Sequence, residues 1–594
     1  MLRTRQMLLH FVADEMGQDD HVVIASTSNR IGFLQQLTDD KDVLRAAVAR
    51  LTYQQNLFGS SEYPPMTEYE AYSIEQGDEK VNEHFMALYL SRNPGVKRNL
   101  NAGIARGVAE KSVAFRARQI MQQSEFATKN TLFVLENLMR SSAELPGRKL
   151  LFLLSDGFLA NTRNQTARSD LNRVIDAGLR SNVVIYSLQT SGLTTSYPDA
   201  SSQVFVDDNM ETSTSILGED TTRQDPLYSI AKGTGGRAFP NANLLDNGIG
   251  RAFKETGRYY LLGWYPENER NIPEKLNNIE ISIRGRPELK MLLQKVFLKQ
   301  DAAKSATDKT AKAQSSDSKS ADEVLSKALG AFYPGAELPV ALSVTYLQTP
   351  KNGAVATILT QISTANFDLG GDKETSNIDL AGIVFDDNGK PVSSFKDHLI
   401  VNSSATESSD LRKYGIVQAT QTPLKIGLYQ VRVAARHDKT GQTGSASEWI
   451  LIPDFKTQSI SLGSLFLGER TFEDTVHRSN NDPLQQARIS VDHCFTKTSH
   501  LRFLTYVYNA SPGVALTPAA DVVIEGRILH DNKIVVTMPV QKIESKGAAD
   551  PSRIPYAGEL SMEKFSVGRY VMVITATDRL TKISSSQSVN FRIE

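Results

Sequence analysis

The sequence predicts a multidomain protein in which an α/β domain with a doubly wound parallel sheet precedes two all-β sandwiches. Three observations predict this: strands alternate with helices over residues 1–298, a segment without large apolar residues follows, and short strands bounded by turn residues fill the remainder. The length of 594 residues suits about three to five domains. The expected boundaries are an α/β domain at residues 1–298, a linker at 299–323, and sandwiches at 324–454 and 455–594.

The first half contains apolar runs without polar alternation, as expected of parallel strands covered on both faces. Because helices separate these runs, right-handed crossovers and a parallel sheet are expected. The expected helices are residues 2–16, 39–51 (capped by Asp39 or Asp40), 100–142 (one or two helices) and 166–179; the expected strands are 21–26, 149–154 and 183–188; and residues 190–222 are expected to form a long surface loop.

Residues 300–322 contain nothing more apolar than Ala, and such a segment cannot offset the entropy of ordering it. It is therefore expected to be a flexible linker between halves that fold separately. Beyond it, little helical periodicity is found. The expected strands are residues 339–347, 354–362, 378–385, 429–435, 448–452, 501–508, 521–529, 533–538 and 569–575.

One pattern occurs twice in the second half. Gly427 and Tyr429 begin a strand in which apolar residues fall at the same offsets as those after Gly568 and Tyr570. The pattern resembles the Gly-x-Tyr strand of immunoglobulin-like sandwiches, in which a tyrosine often fixes a corner. It predicts two copies of one sandwich fold, although any amphipathic strand can have a similar pattern.

Charge and cysteine content exclude several classes of protein. The 66 Lys+Arg and 67 Asp+Glu residues give a net charge of −1, which lacks the basic surface of a dedicated nucleic-acid-binding protein. The single cysteine, Cys494, excludes an intrachain disulfide and a multi-cysteine zinc site. No segment reaches the roughly 18 apolar residues of a membrane span. The first residues do not form a signal peptide, because His10 and Asp14 interrupt the apolar run.

Three segments of the first half together resemble bacterial VWFA-related domain proteins, which are abundant in acidobacteria and have a von Willebrand factor type A-like fold. They are PGRKLLFLLSDGF at residues 146–158, LYSIAKGTGGRAF at 227–239 and RYYLLGWYP at 258–266. The resemblance covers about residues 1–298. It implies that the sequence given is truncated at its N-terminus, because Met1 lies within what would be the first helix of the fold and no preceding strand is present.

The resemblance also implies a possible metal-ion-dependent adhesion site. Such sites bind Mg²⁺ through Asp-x-Ser-x-Ser, a Thr and an Asp that follows a strand; Asp156 has the last position, and Thr128 and Thr131 are candidates for the Thr. Since Asp-x-Ser-x-Ser does not occur in the chain, no cofactor is expected, and Mg²⁺ is expected only if an upstream segment supplies that motif. The alternative is that Asp156 belongs to an Asp-Gly turn.

Two further candidates have simpler explanations. His493 and Cys494 are neighbours in the sequence, so on a strand they point to opposite faces and cannot form a catalytic pair. Residues 233–236 are rich in glycine but lack the Gly-Lys-Ser/Thr ending of a phosphate loop, so a helix-to-strand turn is the better interpretation.

The function implied by the resemblance is that of a non-catalytic protein-binding, adhesion-type protein of the cell surface or secreted space, located outside the cell or in the periplasm. A protein partner is expected, with no nucleic acid and no membrane span. The first alternative is a structural or assembly component of the cell envelope without metal-dependent binding. A hydrolase is a weaker alternative, because no nucleophile and base can be named.

Overall fold

The computed structural model divides into two compact units, each formed by segments that are discontinuous in sequence. Unit 1 comprises Met1–Glu15, Ala25–Arg30 and Leu51–Ala306; unit 2 comprises Met16–Ile24, Ile31–Arg50 and Thr307–Glu594. The structure describes residues 2–17, 20–27, 31–52, 66–160, 165–190, 211–239, 245–256, 260, 262, 283–286, 321–330, 335, 337–349, 353–365, 367, 376–401, 411, 414–455, 459–470, 488–511, 520–543 and 553–594.

Helices are concentrated in unit 1, where the longest, α6, has 40 residues. Its N-terminus is capped by Asn101, whose side chain accepts a hydrogen bond from the Ile104 amide at 2.9 Å. The helices in the described residues are α1 (Leu2–His10, continued by a π-helical turn, Phe11–Glu15), α2 (Lys41–Arg50), α3 (Glu68–Glu75), α4 (Glu79–Arg92), α5 (Pro94–Asn99), α6 (Ala102–Ser141), α7 (Gln165–Arg180), α8 (Glu211–Gly233), α9 (Leu245–Thr256) and α10 (Ala321–Gly330).

A small parallel sheet forms the centre of unit 1. Its order is β1 (Lys149–Ser155), β2 (Val183–Gln189) and β3 (Ala238–Phe239), and the register pairs Lys149 with Val183. The predicted strands at residues 149–154 and 183–188 and the helix between them are therefore confirmed. On one face, Leu153 and Ile185 pack in a core with side chains from α6, α7 and α8.

The other face of this sheet is covered by aromatic rings. Phe152 of β1 stacks on Tyr186 of β2 at 5.9 Å, and Tyr186 stacks on Phe239 of β3 at 6.4 Å. Phe253 of α9 contacts Phe152 at 5.9 Å and Phe11 at 5.8 Å. Apolar contacts on both faces explain why the sequences of these strands lack polar alternation.

Two expectations for the first half are wrong. Residues 21–26 do not form a strand; only Val22 makes a bridge, which is antiparallel and pairs with Thr38. The predicted loop at residues 190–222 includes the first part of α8, while residues 191–210 lie outside the described part.

Of the predicted linker, residues 300–320 lie outside the described part, and residues 321 and 322 begin α10.

The first sandwich consists of two antiparallel sheets that share one core. The sheet orders are β4-β5-β8 and β10-β9-β6-β7. The strands are β4 (Val340–Thr349), β5 (Gly353–Ile362), β6 (Ser376–Asp386), β7 (Pro391–Val401), β8 (Ile416–Leu424), β9 (Gly427–His437) and β10 (Thr443–Ile452).

The second sandwich repeats this arrangement, with β15 and β19 in one sheet and β16, β20 and β21 in the other. As β9 lies between β6 and β10, so β20 lies between β16 and β21. The strands are β11 (Ser461–Leu462), β12 (Phe466–Arg470), β13 (Arg488–Ile489), β14 (Cys494–Phe495), β15 (His500–Tyr508), β16 (Val522–His530), β17 (Lys533–Thr537), β18 (Gln541–Ile543), β19 (Arg553–Ser561), β20 (Gly568–Asp578) and β21 (Ser584–Ile593).

The two sandwiches contact each other through aromatic side chains. Phe455 lies edge-on to Tyr346 at 5.9 Å and to Tyr508 at 5.0 Å. The Tyr346 hydroxyl donates to the Leu462 carbonyl at 3.1 Å, and the Tyr508 hydroxyl accepts from the Gln348 amide at 3.2 Å. These contacts bury polar and apolar groups together, so they couple the two sandwiches.

The N-terminal residues of unit 2 pack on the first sandwich, whereas the sequence assigned all of residues 1–298 to one α/β domain. Phe33 contacts Phe385 at 5.4 Å and Trp449 at 5.8 Å. Arg50, at the end of α2, forms an ion pair with Asp387. These aromatic and charged contacts hold Ile31–Arg50 on the sandwich, and sequence adjacency could not reveal them.

Candidate functional site

The candidate site lies at the carboxyl-terminal end of the parallel sheet, where β1 and β2 end. Asp156 follows β1, and Thr190 follows β2. The Thr190 amide donates to the Ser155 carbonyl at 3.1 Å, which extends the ladder by one residue. The Thr190 hydroxyl donates to the Asp156 carboxylate. Two polar side chains are thus joined at the carboxyl ends of neighbouring strands, where open α/β sheets bind ligands.

Asp156 begins a tight turn that requires glycine. Gly157 has a φ of +92°, and a Cβ added there would lie 2.5 Å from the Arg223 carbonyl oxygen. The Gly157 amide donates to the Ser155 hydroxyl at 3.1 Å, and the Phe158 amide donates to the Arg223 carbonyl at 3.2 Å. The turn therefore joins the end of β1 to α8 and fixes the backbone on both sides of Asp156.

Further polar side chains, on β2, α3, α6 and α8, contact one another near this end of the sheet. Gln224 donates to the side-chain oxygen of Gln189 at 2.9 Å, and Gln189 is buried at the end of β2. Glu68 of α3 accepts a hydrogen bond from Ser124 of α6 and lies 4.0 Å from Arg223. Since Glu68 and Ser124 are both buried, this network connects three helices by polar contacts.

The two candidate threonines differ in their surroundings. Thr128 is buried in α6, and its hydroxyl donates to the Leu159 carbonyl at 3.3 Å. Thr131 lies one turn further along α6 and is partly exposed. The Thr128 hydroxyl thus helps to hold the chain that follows the Asp156 turn, a role in positioning the backbone.

The residues present do not fit the Mg²⁺ site that the resemblance allows. Within the described residues, no group of three His, Cys, Asp or Glu side chains could hold a metal ion. Asp156 contributes one carboxylate, which already accepts a hydrogen bond from Thr190. Mg²⁺ gives up its bound water reluctantly, and a single carboxylate together with water molecules rarely holds it.

The glycine-rich residues 233–236 form the turn between α8 and β3, as the helix-to-strand interpretation predicts. The buried Thr234 hydroxyl accepts from the Ile185 amide at 3.0 Å and donates to the Ile230 carbonyl at 3.0 Å. A Cβ on Gly236 would lie 2.0 Å from the Ile185 carbonyl oxygen. This turn packs directly against β2, which accounts for its Thr-Gly-Gly sequence.

His493 and Cys494 contact different backbone carbonyls. His493 Nδ1 donates to the Asn590 carbonyl at 3.1 Å, and Cys494 Sγ contacts the Asp492 carbonyl at 3.6 Å. Burial raises the pKa of the Cys494 thiol, which disfavours the reactive thiolate. Both residues therefore have structural contacts at the start of β14.

Sequence reasoning missed Gln189, Thr190, Gln224, Glu68 and Ser124. The polar residues Gln189, which ends the buried strand β2, and Thr190, which follows it, were a usable signal for the first two of these. Glu68 and Ser124 are 56 residues apart, and nothing in their sequence context indicates that they meet.

Comparisons with known proteins give no family for this chain. No protein-family model matches the sequence, and no curated protein matches it. Solved structures with some likeness include Bacteroides uniformis beta-glucuronidase 2 bound covalently to cyclophellitol-6-carboxylate aziridine (TM-score 0.17, 11% identity, 40% of this chain and 26% of that chain). They also include Bacteroides uniformis beta-glucuronidase (TM-score 0.16, 12% identity, 40% and 26%) and a calcium binding mutant of beta-glucuronidase 2 (TM-score 0.16, 13% identity, 41% and 28%).

This chain spans only about a quarter of the length of those enzymes, and TM-scores this low carry no information on its function. The described residues include no helix that is both long and apolar enough to cross a membrane. The class defined by the fold is thus a multidomain protein with a small parallel sheet and several antiparallel sheets.

Proposed function

We propose that this chain is a non-catalytic, protein-binding protein of the secreted or periplasmic space, of the adhesion type found among VWFA-related proteins. The partner binds at the carboxyl-terminal end of the parallel sheet, where the side chains of Asp156 and Thr190 lie. The observation that carries the proposal is the hydrogen bond between these two side chains at the carboxyl ends of adjacent strands. A fixed carboxylate and hydroxyl can recognise a protein surface without any chemical step.

The order of elements in unit 1 supports the proposed relationship. The segment that resembles the first VWFA-related motif forms β1 and the Asp156 turn, and the second forms the turn from α8 into β3. Both turns contain a glycine that a larger residue could not replace, Gly157 and Gly236. The motif residues therefore have positions that explain their identities.

The proposal is tested with the full chain immobilised and exposed to extracellular proteins of the source organism. A specific partner should be retained by the wild-type chain and by Asp176→Ala, an exposed carboxylate of α7, but lost with Asp156→Ala. Retention should persist in a chelator, because the site does not fit Mg²⁺. Equal retention of the partner by Asp156→Ala and Asp176→Ala would refute binding at Asp156 and Thr190.

The second candidate, an envelope assembly component, is favoured by the coupling of the two sandwiches through Phe455. In that case the partner would contact an outer strand of a sandwich, such as β7, whose Ile400 is 63% exposed. Loss of retention with Ile400→Asp, and normal retention with Asp156→Ala, would select this function over the first.

A further inference from the structure

The long helix α6 carries several large apolar side chains that face solvent. Phe115, Phe126 and Phe133 are 71%, 76% and 60% exposed, and Ile104, near the start of the helix, is 53% exposed. Single exposed apolar residues are common on protein surfaces, whereas an aligned set marks an interaction surface. These four residues are called the apolar row below.

Their spacing places the four residues on one side of the helix. An α-helix turns by about 100° per residue, so residues that follow Ile104 by 11, 22 and 29 positions return to within about 40° of it. Val113, which is buried, lies on the opposite side of α6. At a rise of about 1.5 Å per residue, the apolar row is about 43 Å long.

Exposed basic side chains run beside the apolar row. Lys111, Arg118 and Lys129 are exposed, and they lie within about 60° of Phe115 around the helix axis. In the part of the chain that the structure describes, none of the three has an ion-pair partner. These three residues are called the basic row below, and their charge is available to an anionic partner.

The acidic residues of α6 do not neutralise this surface. Glu136 is buried and ion-paired with Arg140. Glu110 and Glu125 lie about 80° or more from Phe115 around the helix axis. The solvent-facing side of α6 therefore combines apolar side chains with positive charge, and the surface that complements it is negatively charged.

The spacing also indicates the kind of surface that fits. Packing against another helix uses apolar residues three or four positions apart, but the phenylalanines of the apolar row are 11 and 7 residues apart, with Gln122 and Lys129 between them. A lipid bilayer needs no such continuous apolar ridge. Phenyl rings enter between its headgroups, and neighbouring Lys and Arg side chains bind the lipid phosphates.

We propose that the exposed side of α6 binds the surface of an anionic lipid bilayer. The apolar row enters the headgroup region, and the basic row contacts the lipid phosphates. The opposite side of the helix stays in the core of unit 1, so the chain lies on the bilayer without crossing it. This function goes beyond the protein binding proposed at Asp156, because it uses a different surface and a different ligand.

Vesicle sedimentation of the full chain tests the apolar row. The vesicles contain phosphatidylcholine alone or phosphatidylcholine with about one-third phosphatidylglycerol. The wild-type chain should bind the anionic vesicles, and the triple variant Phe115→Ser, Phe126→Ser, Phe133→Ser should bind them about tenfold more weakly. Ile400→Ser is the matched control, because Ile400 is 63% exposed but lies on β7, and it should bind as the wild-type chain does.

Charge reversal in the same assay tests the basic row. The double variant Lys111→Glu, Lys129→Glu should lose most of its binding to anionic vesicles. Lys232→Glu, at an exposed position on α8, is the control and should keep it. Added salt should weaken binding of the wild-type chain, because salt screens the attraction between exposed charges and headgroups.

A tryptophan in the apolar row gives a second readout that does not remove apolar surface. The chain has two tryptophans, and Phe126→Trp adds a third. Its emission should shift to shorter wavelength with anionic vesicles and should be quenched by brominated lipid. Ile400→Trp is the control, and neither change is expected for it.

Several outcomes would overturn the proposal. They are absence of binding to anionic vesicles, equal binding to both kinds of vesicle, and equal binding by the wild-type chain and the triple serine variant. Short-wavelength emission of Phe126→Trp without lipid would also overturn it, because the chain itself would then cover the apolar row. A wild-type dimer that the triple variant converts to monomer would overturn it by assigning the row to a second copy.

The vesicle assay is independent of the protein-binding proposal. It contains no protein partner, and Asp156→Ala should bind anionic vesicles as the wild-type chain does. Failure of vesicle binding therefore leaves partner binding at Asp156 intact, and failure of partner binding leaves the result with vesicles unchanged.

Discussion

Tyr429 and Tyr570 have the same role in two sandwiches that lie one after the other in the chain. Each is the third residue of an interior strand of its sheet, is buried, and hydrogen-bonds to the backbone four residues upstream, at Lys425 and Ser566 respectively. The residues that precede them by two, Gly427 and Gly568, pair with Ile452 and Ile593 on the next strand. The predicted repeat is therefore confirmed, and each tyrosine fixes a corner of its own sandwich.

Removing either tyrosine should destabilise its own sandwich. Tyr570→Phe loses the 2.8 Å bond to the Ser566 carbonyl and should lower the unfolding free energy by about 0.5–1.5 kcal/mol. Tyr570→Ala should cost about 3–5 kcal/mol, because the ring is buried. Urea unfolding measures both. Tyr506→Phe is the control, since this ring is only partly buried, and an equal loss there would show that the corner bond is unimportant.

Stability should depend on pH through Glu448. Burial raises its pKa to about 8, against an ordinary value of 4.5, and its side-chain oxygen Oε2 accepts from the Val344 amide at 2.9 Å. Between these two pH values the folded chain keeps a proton that the unfolded chain has released. The unfolding free energy should therefore fall as pH rises, by up to about 1.4 kcal/mol per pH unit.

Denaturation from about pH 5 to about pH 8 tests this prediction, with Glu448→Gln as the variant. The variant should lose most of this slope, because its side chain does not titrate. Glu337→Gln, at an exposed position near the same sandwich, is the control and should keep the slope. Parallel curves for the wild-type chain and Glu448→Gln would contradict the assignment.

Gly236 should tolerate no side chain. An alanine Cβ would lie 2.0 Å from the Ile185 carbonyl, so Gly236→Ala should lower stability by about 1–3 kcal/mol or more through forced backbone movement. Gly107→Ala is the matched control, because nothing lies within 4 Å of its added Cβ and it sits inside α6. That variant should gain about 0.5–1 kcal/mol. Equal melting temperatures for the two variants would be inconsistent with the packing of this turn.

Coupling of the sandwiches should depend on Phe455. Phe455→Ala removes its ring contacts with Tyr346 and Tyr508 and should cost about 3 kcal/mol. Since those contacts join two separate cores, scanning calorimetry should also show the transition of unit 2 split into two. A single transition that shifts without splitting would mean that other contacts couple the sandwiches.

Magnesium should bind weakly or not at all. Titration calorimetry with Mg²⁺ should give only heats of dilution for the wild-type chain, because Asp156 supplies one carboxylate at the sheet edge and that carboxylate is hydrogen-bonded by Thr190. Micromolar binding that disappears in Asp156→Ala would contradict this prediction.

The parts of the fold that sequence could predict are those with strong local patterns. The unbroken apolar runs of β1 and β2 and the cap of α2 are such cases; Asp40 accepts from the Asp42 and Val43 amides as predicted. By contrast, β7 and β8 were missed because many of their residues are polar or exposed and the apolar alternation is weak. Helix α10 was missed because it begins with Ala, Asp and Glu, which continue the composition of the preceding segment.

The candidate site was predictable only at Asp156, which follows a buried strand directly. Its partner Thr190 is 34 residues away, and their contact depends on the parallel register of β1 and β2. The packing of Phe33 on Trp449 is likewise a long-range contact. Such pairings are set by tertiary structure, and single-sequence patterns do not report them.

The central claim is that a protein partner binds at the end of the parallel sheet, at Asp156 and Thr190. Hydrogen exchange of the full chain, with and without its retained partner, tests this claim most directly. We expect new protection of the amides at residues 155–160 and 189–190, with little change in β7. Protection confined to the sandwich strands, with unchanged exchange at residues 155–160, would contradict the account.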